Sequence, residues 1–280
     1  MLTSLSQILA AFSFGYIFLA GYTASAQKIR QHIPITVSEN TVYVNVHVNG
    51  HGPYNFMFDS GMAGMGRVGS RLAKELGLKI VGFEENTEGT TVKREFLVAI
   101  DKLGIAQIAQ SNLKLVVRDY TLSPKQIPVD GVIGRDFFYN YLLTIDGPGR
   151  QLVVSKDVLN AQDKGVLPYN KPFLVTGKVA NTAMMFSLDT GSDFRLNFPK
   201  ASLMGVHYAN TPNQRVVTQA NRTYVLQEAI LGDELVLGSI RVKDQHVHYS
   251  DKTHQINVGE AFLKEHTVTF DQRNRLVRID

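Results

Sequence analysis

Cysteine is absent from the 280-residue sequence. Its absence excludes disulfide bonds, thiolate zinc sites, iron–sulfur clusters and cysteine nucleophiles, and it excludes a lipoprotein anchor, which needs a cysteine at the cleavage site. Long runs of one charge are also absent: Lys and Arg total 29 and Asp and Glu total 25, for a net charge of +4. Such scattered basic residues do not indicate nucleic acid as a partner.

Charged side chains are missing from residues 1–26. An apolar stretch over 8–22 is followed by Ala24-Ser25-Ala26, which is similar to the apolar region and small-residue cleavage site of a secretory signal peptide. The usual N-terminal Lys or Arg is missing, and an uncleaved membrane anchor is the alternative, although the stretch is shorter than the ~20 residues that a span needs. We expect cleavage after Ala26, a periplasmic or secreted location, and no stable membrane span once the signal is removed.

The remaining 254 residues contain one long pattern written twice. Each copy begins with an apolar segment that leads directly into Asp-(Ser/Thr)-Gly, and a short helical segment follows. Much later comes an apolar segment that ends in Gly, and the copy ends with an Asp that precedes a turn. Equivalent residues are Asp59 and Asp189, Gly134 and Gly259, and Asp146 and Asp271. Their offsets of 130, 125 and 125 positions agree too well for chance. The repeat predicts a first lobe over 27–155, a linker over 156–166 and a second lobe over 167–280.

The local pattern is mostly that of β-strands. Valines at 42, 44, 46 and 48 alternate with other residues, a period of two, and the turn cluster over 49–53 leads to a strand that ends in Asp59. Two short helical segments, over 70–76 and 199–204, each stop at a glycine, and Ser70 is the expected N-cap of the first. Long helical periodicity is absent, so we expect an all-β fold with a few short helices.

The two Asp-(Ser/Thr)-Gly segments are the candidates for chemistry. A chain of this length should contain such a tripeptide by accident only about 0.1 times, and here two copies follow apolar strands in matching repeats. Two carboxylates about 3 Å apart share one proton, so that one acts as base while the other acts as acid. A pseudo-two-fold relation between the lobes would bring Asp59 and Asp189 together in this way.

Four neighbouring residues are expected to support this pair of carboxylates. The hydroxyls of Ser60 and Thr190 would form hydrogen bonds across the two loops and hold the geometry rigid. Gly61 and Gly191 would allow sharp turns and let backbone N–H groups approach the carboxylates.

At these residues the chain resembles the aspartic peptidases of the pepsin and retroviral-protease type, and it is most similar to bacterial exported relatives with a retroviral-protease-like unit in each lobe. At the level of pattern the resemblance covers nearly all of the chain after residue 26. It implies the acid-protease (retropepsin-like) fold of two pseudo-symmetric β-barrel lobes, with Asp59 and Asp189 as the catalytic dyad. It also implies that Ile133-Gly134 and Val258-Gly259 pack against the two active-site loops.

The resemblance further implies a β-hairpin flap over the cleft, which spacing places near 87–93 in the first lobe, with a counterpart near 219–224 in the second. Three features depart from the family pattern. Met62 stands where a small residue is usual, and it could desolvate Asp59 and raise the pKa of that carboxyl. Asn257 replaces a usual apolar residue. The flap tyrosine has no clear equivalent in the first lobe, and Tyr224 is a loose candidate in the second.

These features predict an exported aspartic-type endopeptidase that hydrolyses peptide bonds with a water activated by the Asp59/Asp189 dyad. The alternative is a catalytically silent peptide-binding or structural protein on the same fold, which Met62 favours. A sugar or metal hydrolase is a weaker alternative, because a glycosidase also uses two carboxylates but needs neither the Gly turns nor the duplication.

We expect a peptide or protein substrate, no cofactor, and one chain sufficient for one site. His246 and His248 share a strand face, but no third ligand is evident, so we predict an exposed strand face and no metal site.

Overall fold

The computed structural model describes residues 30–88, 91–121, 125–219 and 222–280. Within these residues the chain forms strands and a few short helical segments, which confirms the expected all-β class. No helix in this described part is long and apolar enough to cross a membrane. The predicted signal peptide over 1–26 lies outside the described residues.

The first copy of the repeat provides strands β1 to β11, the helix α1 and one 3₁₀ helix. Their bounds are β1 Arg30–Pro34, β2 Thr36–Ser38, β3 Thr41–Val48, β4 His51–Asp59, β5 Gly66–Gly69, α1 Ser70–Glu75, β6 Ile80–Glu88, β7 Thr91–Ile105, β8 Ile108–Arg118, β9 Gly131–Gly134, the 3₁₀ helix Arg135–Phe138, β10 Leu142–Asp146 and β11 Gln151–Ser155.

The second copy provides strands β12 to β23, a second 3₁₀ helix and the helix α2. Their bounds are β12 Val166–Pro168, β13 Leu174–Val179, β14 Thr182–Asp189, β15 Leu196–Pro199, the 3₁₀ helix Lys200–Leu203, β16 Tyr208–Gln219, β17 Arg222–Leu231, β18 Leu235–Leu237, β19 Ile240–Val242, β20 Gln245–Ser250, β21 Ile256–Gly259, α2 Glu260–Leu263, β22 Thr267–Asp271 and β23 Leu276–Ile279.

Two sheets, one from each copy, share a strand order. The first is ordered β2-β3-β4-β9-β5-β8-β7-β6 and the second β16-β17-β20-β15-β21-β14-β13-β18-β19. When the second sheet is read from its other end, seven strands match in order. The series β3-β4-β9-β5-β8-β7-β6 of the first sheet corresponds to β13-β14-β21-β15-β20-β17-β16 of the second. In both sheets the strand that ends in Asp pairs in parallel with the strand that ends in Gly. The repeat in the sequence is therefore a repeat in strand topology.

A third sheet joins the two copies, in the order β1-β11-β10-β22-β23-β12. At its centre β10 and β22 pair antiparallel, and Thr144 lies opposite Thr269, its own equivalent in the repeat. Their hydroxyl oxygens are 2.9 Å apart. A residue that faces its own equivalent is what a two-fold axis produces, so the pseudo-symmetry axis passes through this pair.

The buried residues of strand β3 show why its sequence alternates. Val42, Val44, Val46 and Val48 are each at most 2% exposed, which confirms the period of two. Tyr43 is also buried, because its hydroxyl donates a hydrogen bond to the carbonyl of Ile127 at 3.3 Å. The buried side chains of both copies form one continuous hydrophobic cluster beneath the sheets.

The ends of the short helices differ partly from expectation. Ser70 is not the N-cap of α1: Gly69 holds that position, and its N–H donates to the carbonyl of Asp130 at 2.7 Å. The close approach leaves no room for a side chain at residue 69, which explains why a glycine precedes the helix. Gly77 and Gly205, with φ of +58° and +77°, have the expected left-handed conformation.

Candidate active site

The two predicted aspartates end equivalent strands. Asp59 closes β4 opposite Gly134, and Asp189 closes β14 opposite Gly259. Side chains of a strand alternate between its faces, so the preceding buried residue points into the core and each aspartate points out of it. Both aspartates are half-buried.

The loop that follows each aspartate is held by the glycine that ends the neighbouring strand. The N–H of Gly134 donates to the carbonyl of Met65 at 3.2 Å, and the N–H of Gly259 donates to that of Arg195 at 3.1 Å. Each glycine lies against the backbone of the loop, where a Cβ atom would collide with a carbonyl oxygen. The two glycine segments thus pack against the loops as the family resemblance implies.

Ser60 and Thr190 connect the two loops through reciprocal hydrogen bonds. The N–H of Ser60 donates to Thr190 Oγ1 at 2.9 Å, and the N–H of Thr190 donates to Ser60 Oγ at 3.0 Å. Each hydroxyl in turn donates across to the opposite strand: Ser60 to the carbonyl of Leu188 at 3.1 Å and Thr190 to that of Phe58 at 2.9 Å. Because both side chains are buried, these four bonds fix the position of one loop relative to the other.

Gly61 and Gly191 each lie against the carboxyl group of the opposite copy. A Cβ atom at Gly61 would lie 2.5 Å from Asp189 Oδ1, and one at Gly191 would overlap the carboxyl of Asp59. Backbone N–H groups also reach the carboxylates: that of Met62 donates to Asp59 Oδ1 at 2.9 Å and that of Gly191 to Asp189 Oδ1 at 3.0 Å. The absence of side chains at the two glycines allows the two carboxyl groups to lie near each other, close enough for the charge of Asp189 to raise the pKa of Asp59.

The environment of Asp59 favours its protonated form. Burial raises the pKa of Asp59 to about 7, and the nearby charge of Asp189 adds to this increase. The backbone N–H groups of Gly61 and Met62 lower the pKa but do not offset the other two causes. Met62 is named among these causes only through its backbone N–H, so desolvation of Asp59 by its side chain stays a prediction.

Asn257 makes the surroundings of the two carboxyl groups unequal. Its side-chain Nδ2 donates a hydrogen bond to Asp189 Oδ2 at 2.9 Å. By strand register Asn257 corresponds to Val132 in the first copy, which cannot donate a side-chain hydrogen bond to Asp59. From the sequence, Asn257 could be identified only as a polar residue at a position that is usually apolar. That substitution was the one indication in the sequence that residue 257 contacts the carboxyl group.

Two cavities lie beside the loops that follow the aspartates. One of about 620 Å³ is lined by Asp189, by the β16–β17 hairpin including Tyr224, and by residues of the first copy. Another of about 450 Å³ is lined by Gly61, Met62 and by Glu84 of β6. The predicted flap segments 87–93 and 219–224 contain residues 89–90 and 220–221, which lie outside the described residues, while the strands that flank them pair as hairpins.

Two acidic residues near the site are buried. Asp130 is 5% exposed, accepts a hydrogen bond from the N–H of Asn55 at 2.9 Å and pairs with Arg71. Glu260, at the start of α2, is 1% exposed, and its Oε2 has no hydrogen-bond partner among the described residues. Burial raises the pKa of Glu260 to about 8, against the opposing charge of Lys264.

His246 is exposed, as predicted for this strand face, whereas His248 is only half-exposed. His246 is hydrogen-bonded to Glu228, and His248 is half-buried with its ring against Phe194 at 5.4 Å between centroids. Over the part of the chain that the structure describes, no group of three or more His, Asp or Glu side chains is arranged to hold a metal ion.

Comparison with known proteins gives one result for this chain. Residues 44–137 match a family model described as Aspartyl protease. The match runs from β3 to the 3₁₀ helix after β9, so it contains Asp59, its loop and Gly134. No curated protein matches the chain.

Proposed function

We propose that this chain, an aspartic peptidase of the retropepsin-like kind, is an endopeptidase that hydrolyses peptide bonds with a water molecule held by Asp59 and Asp189. The observation that carries the proposal is the position of each carboxyl group against the glycine of the opposite loop, with a pKa of Asp59 that burial and the charge of Asp189 raise. The cavities beside the two aspartate loops offer room for a substrate chain. A peptide is the substrate that the aspartyl protease family implies.

The unequal surroundings assign a role to each carboxyl group. Asp59, whose proton is favoured by burial, is the acid, and Asp189, which accepts hydrogen bonds from Asn257 and the N–H of Gly191, is the base. Asp189 takes a proton from the water, whose oxygen bonds to the carbonyl carbon, while Asp59 gives its proton to the carbonyl oxygen.

The resulting tetrahedral diol then collapses. Asp189 transfers its new proton to the amide nitrogen as the C–N bond breaks, and Asp59 recovers a proton from one diol hydroxyl. A carboxylic acid and an amine leave, and the dyad returns to its starting state with one proton. The hydrogen bonds of Ser60 and Thr190 keep the two loops, and hence both carboxyl groups, at a fixed separation throughout.

Activity should depend on pH as a bell-shaped curve, because the working dyad holds one proton and loses function when it has two or none. The alkaline limb reports loss of the proton from Asp59, whose pKa is raised to about 7. We therefore expect cleavage in the acid range up to near neutrality and a decline above about pH 7.

Substitution of each aspartate tests the mechanism. Asp59→Asn and Asp189→Asn should each reduce peptide cleavage by roughly 10³-fold or more while leaving the unfolding midpoint close to that of the unaltered protein. Asp101→Asn, at an exposed position of β7, is the matched control and should cleave normally. Cleavage retained in either dyad variant would remove the mechanism, whereas saturable peptide binding without products in the unaltered protein would favour the silent binding protein.

Export is part of the proposal. The uncharged apolar stretch before Ala24-Ser25-Ala26 supports removal of residues 1–26 and a periplasmic or secreted location. The division into lobes over 27–155 and 167–280 gives one chain both halves of the site, so a monomer suffices. N-terminal sequencing of the protein from the culture medium or periplasm should give Gln27 as the first residue, and Met1 would contradict export with cleavage.

A further inference from the structure

The cavity of about 620 Å³ beside Asp189 is built by both copies of the repeat. Lys125 contributes from the first copy, and Lys252 contributes from the second. Its volume is in the range of roughly 300–1,000 Å³ that is typical of ligand pockets. Because Asp189 is part of its lining, any group that occupies the cavity lies next to the proposed dyad.

The side chains that line this cavity carry more positive than negative charge. There are three basic residues, Lys125, Arg215 and Lys252, and two acidic residues, Asp189 and Asp193. Arg215 is already paired with Asp193 at 2.8 Å, so this pair adds little net charge. Neither lysine forms an ion pair with any described residue. The two ammonium groups outweigh the single negative charge of a dyad that shares one proton.

The contacts of Arg215 separate its role from that of the lysines. Its guanidinium lies 4.3 Å from the ring centroid of Phe194, in addition to its ion pair with Asp193. Arg215 is therefore held by the protein itself. Lys125 and Lys252 remain as the cations with capacity to bind an anionic group that enters the cavity.

The scaffold does not require a cation at position 252. Strand β20 corresponds to β8, and the matched registers end at Ser250 and Arg118, so Lys252 lies in the connection that follows the repeated strand. This connection spans residues 251–255, whereas its counterpart in the first copy spans 119–130, so the lysine lies where the two copies differ and not in the repeated strands.

We propose that this cavity binds an acidic side chain of the substrate, so that the protein prefers Glu or Asp at a position on the Asp189 side of the scissile bond. The inference rests on the proposed function and adds to it a substrate class that the dyad alone does not specify. The two free lysines supply the recognition, because an aliphatic side chain would gain nothing from them.

The test begins with a mixed peptide library, in which cleaved bonds are identified by mass spectrometry. Matched peptides with Glu or Gln at each position around one cleaved bond are then compared. At one position we expect kcat/KM for the Glu peptide to exceed that for Gln by roughly twofold to 25-fold at low salt, since each of two exposed ion pairs strengthens binding by a factor of about 1.5 to 5. The ratio should fall towards one near 1 M salt, where the screening length is about 3 Å.

Paired variants identify the groups responsible. The double variant Lys125→Met and Lys252→Met keeps long apolar side chains but removes both charges, and it should cleave the Glu and Gln peptides at equal rates. The matched control, Lys178→Met and Lys243→Met, removes two exposed charges outside the cavity and should retain the preference for Glu. A preference that survives the cavity double variant would overturn the assignment of these lysines.

The outcomes distinguish this inference from the proposed function. Equal cleavage of the Glu and Gln peptides at every position by the unaltered protein would overturn the inference and leave the endopeptidase intact. If no peptide is cleaved, calorimetric binding of the same peptides decides: tighter binding of the Glu peptide that depends on the two lysines would support the cavity and overturn the endopeptidase. Equal or absent binding would overturn both.

Discussion

Replacing Asn257 by valine tests the inequality of the two carboxyl groups most directly. The side chain donates to Asp189 Oδ2 at 2.9 Å, while its own Oδ1 is buried without a hydrogen-bond partner among the described residues. Valine is the residue that the first copy has at the equivalent position, Val132, so the scaffold accommodates that shape. The substitution removes the donor and the unpartnered oxygen together, and we expect the fold to persist.

The expected effect is a shift of the acid limb of the pH–activity curve. A hydrogen bond to a charged group contributes about 1.5–3 kcal/mol, and about 1.4 kcal/mol corresponds to one pH unit. Because the bond from Asn257 favours the anionic form of the dyad, its loss should move the acid limb up by roughly one to two pH units. The alkaline limb, which Asp59 sets, should move less, so the curve narrows from its acid side.

The assay is kcat/KM for one cleaved peptide from pH 2 to pH 8, with urea unfolding at each end of the range. Asn45→Val, at an exposed position of strand β3, is the control and should reproduce the unaltered curve. An acid limb of Asn257→Val that stays in place, or moves to lower pH, would refute the view that Asn257 holds Asp189 as the base.

Three further substitutions probe the scaffold around the dyad. Burial in the folded protein raises the pKa of Glu260 from 4.5 to about 8, so the folded protein retains a proton that the unfolded chain loses, and the free energy of unfolding should decline as pH rises from about 4.5 to 8. Glu260→Gln should remove about 5 kcal/mol of that decline in urea unfolding, and an unchanged decline would contradict the role of burial. Gly61→Ala places a methyl group against the carboxyl of Asp189 and should lower the rate of peptide cleavage by roughly 10²-fold. Gly82→Ala is its control and should leave the rate unchanged, because a Cβ atom there meets nothing closer than 3.9 Å. Thr190→Val removes two buried hydrogen bonds and should lower the free energy of unfolding by about 2–4 kcal/mol, while Thr182→Val, at the exposed start of the same strand, should change it by less than about 0.5 kcal/mol.

The parts of the fold that follow from the duplication could be predicted from the sequence. The equivalent residues of the repeat predict which strands of the two copies correspond. The Asp that ends an apolar strand in each copy predicts where the two copies meet. The third sheet was not foreseen as a unit, because the pairing of Thr144 with Thr269 joins segments far apart in the chain and leaves no local signal. The functional roles of Asp59 and Asp189 stay a prediction until the variants are measured.

The burial of two acidic residues near the site could not be predicted from the sequence. Asp130 and Glu260 are charged side chains in short connections, which are exposed in most proteins, so sequence patterns favour the surface for both. The pairing of distant strands places both side chains in the interior. Asp130 accepts a hydrogen bond from the backbone N–H of Asn55, and Glu260 directly follows Gly259, which pairs with Asp189. Only tertiary pairing determines such positions.

The duplication explains both the symmetry of the scaffold and the asymmetry of the chemistry. Two identical halves would give both carboxyl groups the same surroundings, so neither would be preferred as acid or base. The register-equivalent pair Val132 and Asn257 breaks this equality at the place where a side chain can reach the dyad. The hydrogen bonds between Ser60 and Thr190 remain symmetric, because they only hold the two loops together. A difference between the copies at these residues would not help to distinguish acid from base. Divergence is therefore expected where residues face the reacting carboxyl groups, as Asn257 does, and not where they hold the two copies together.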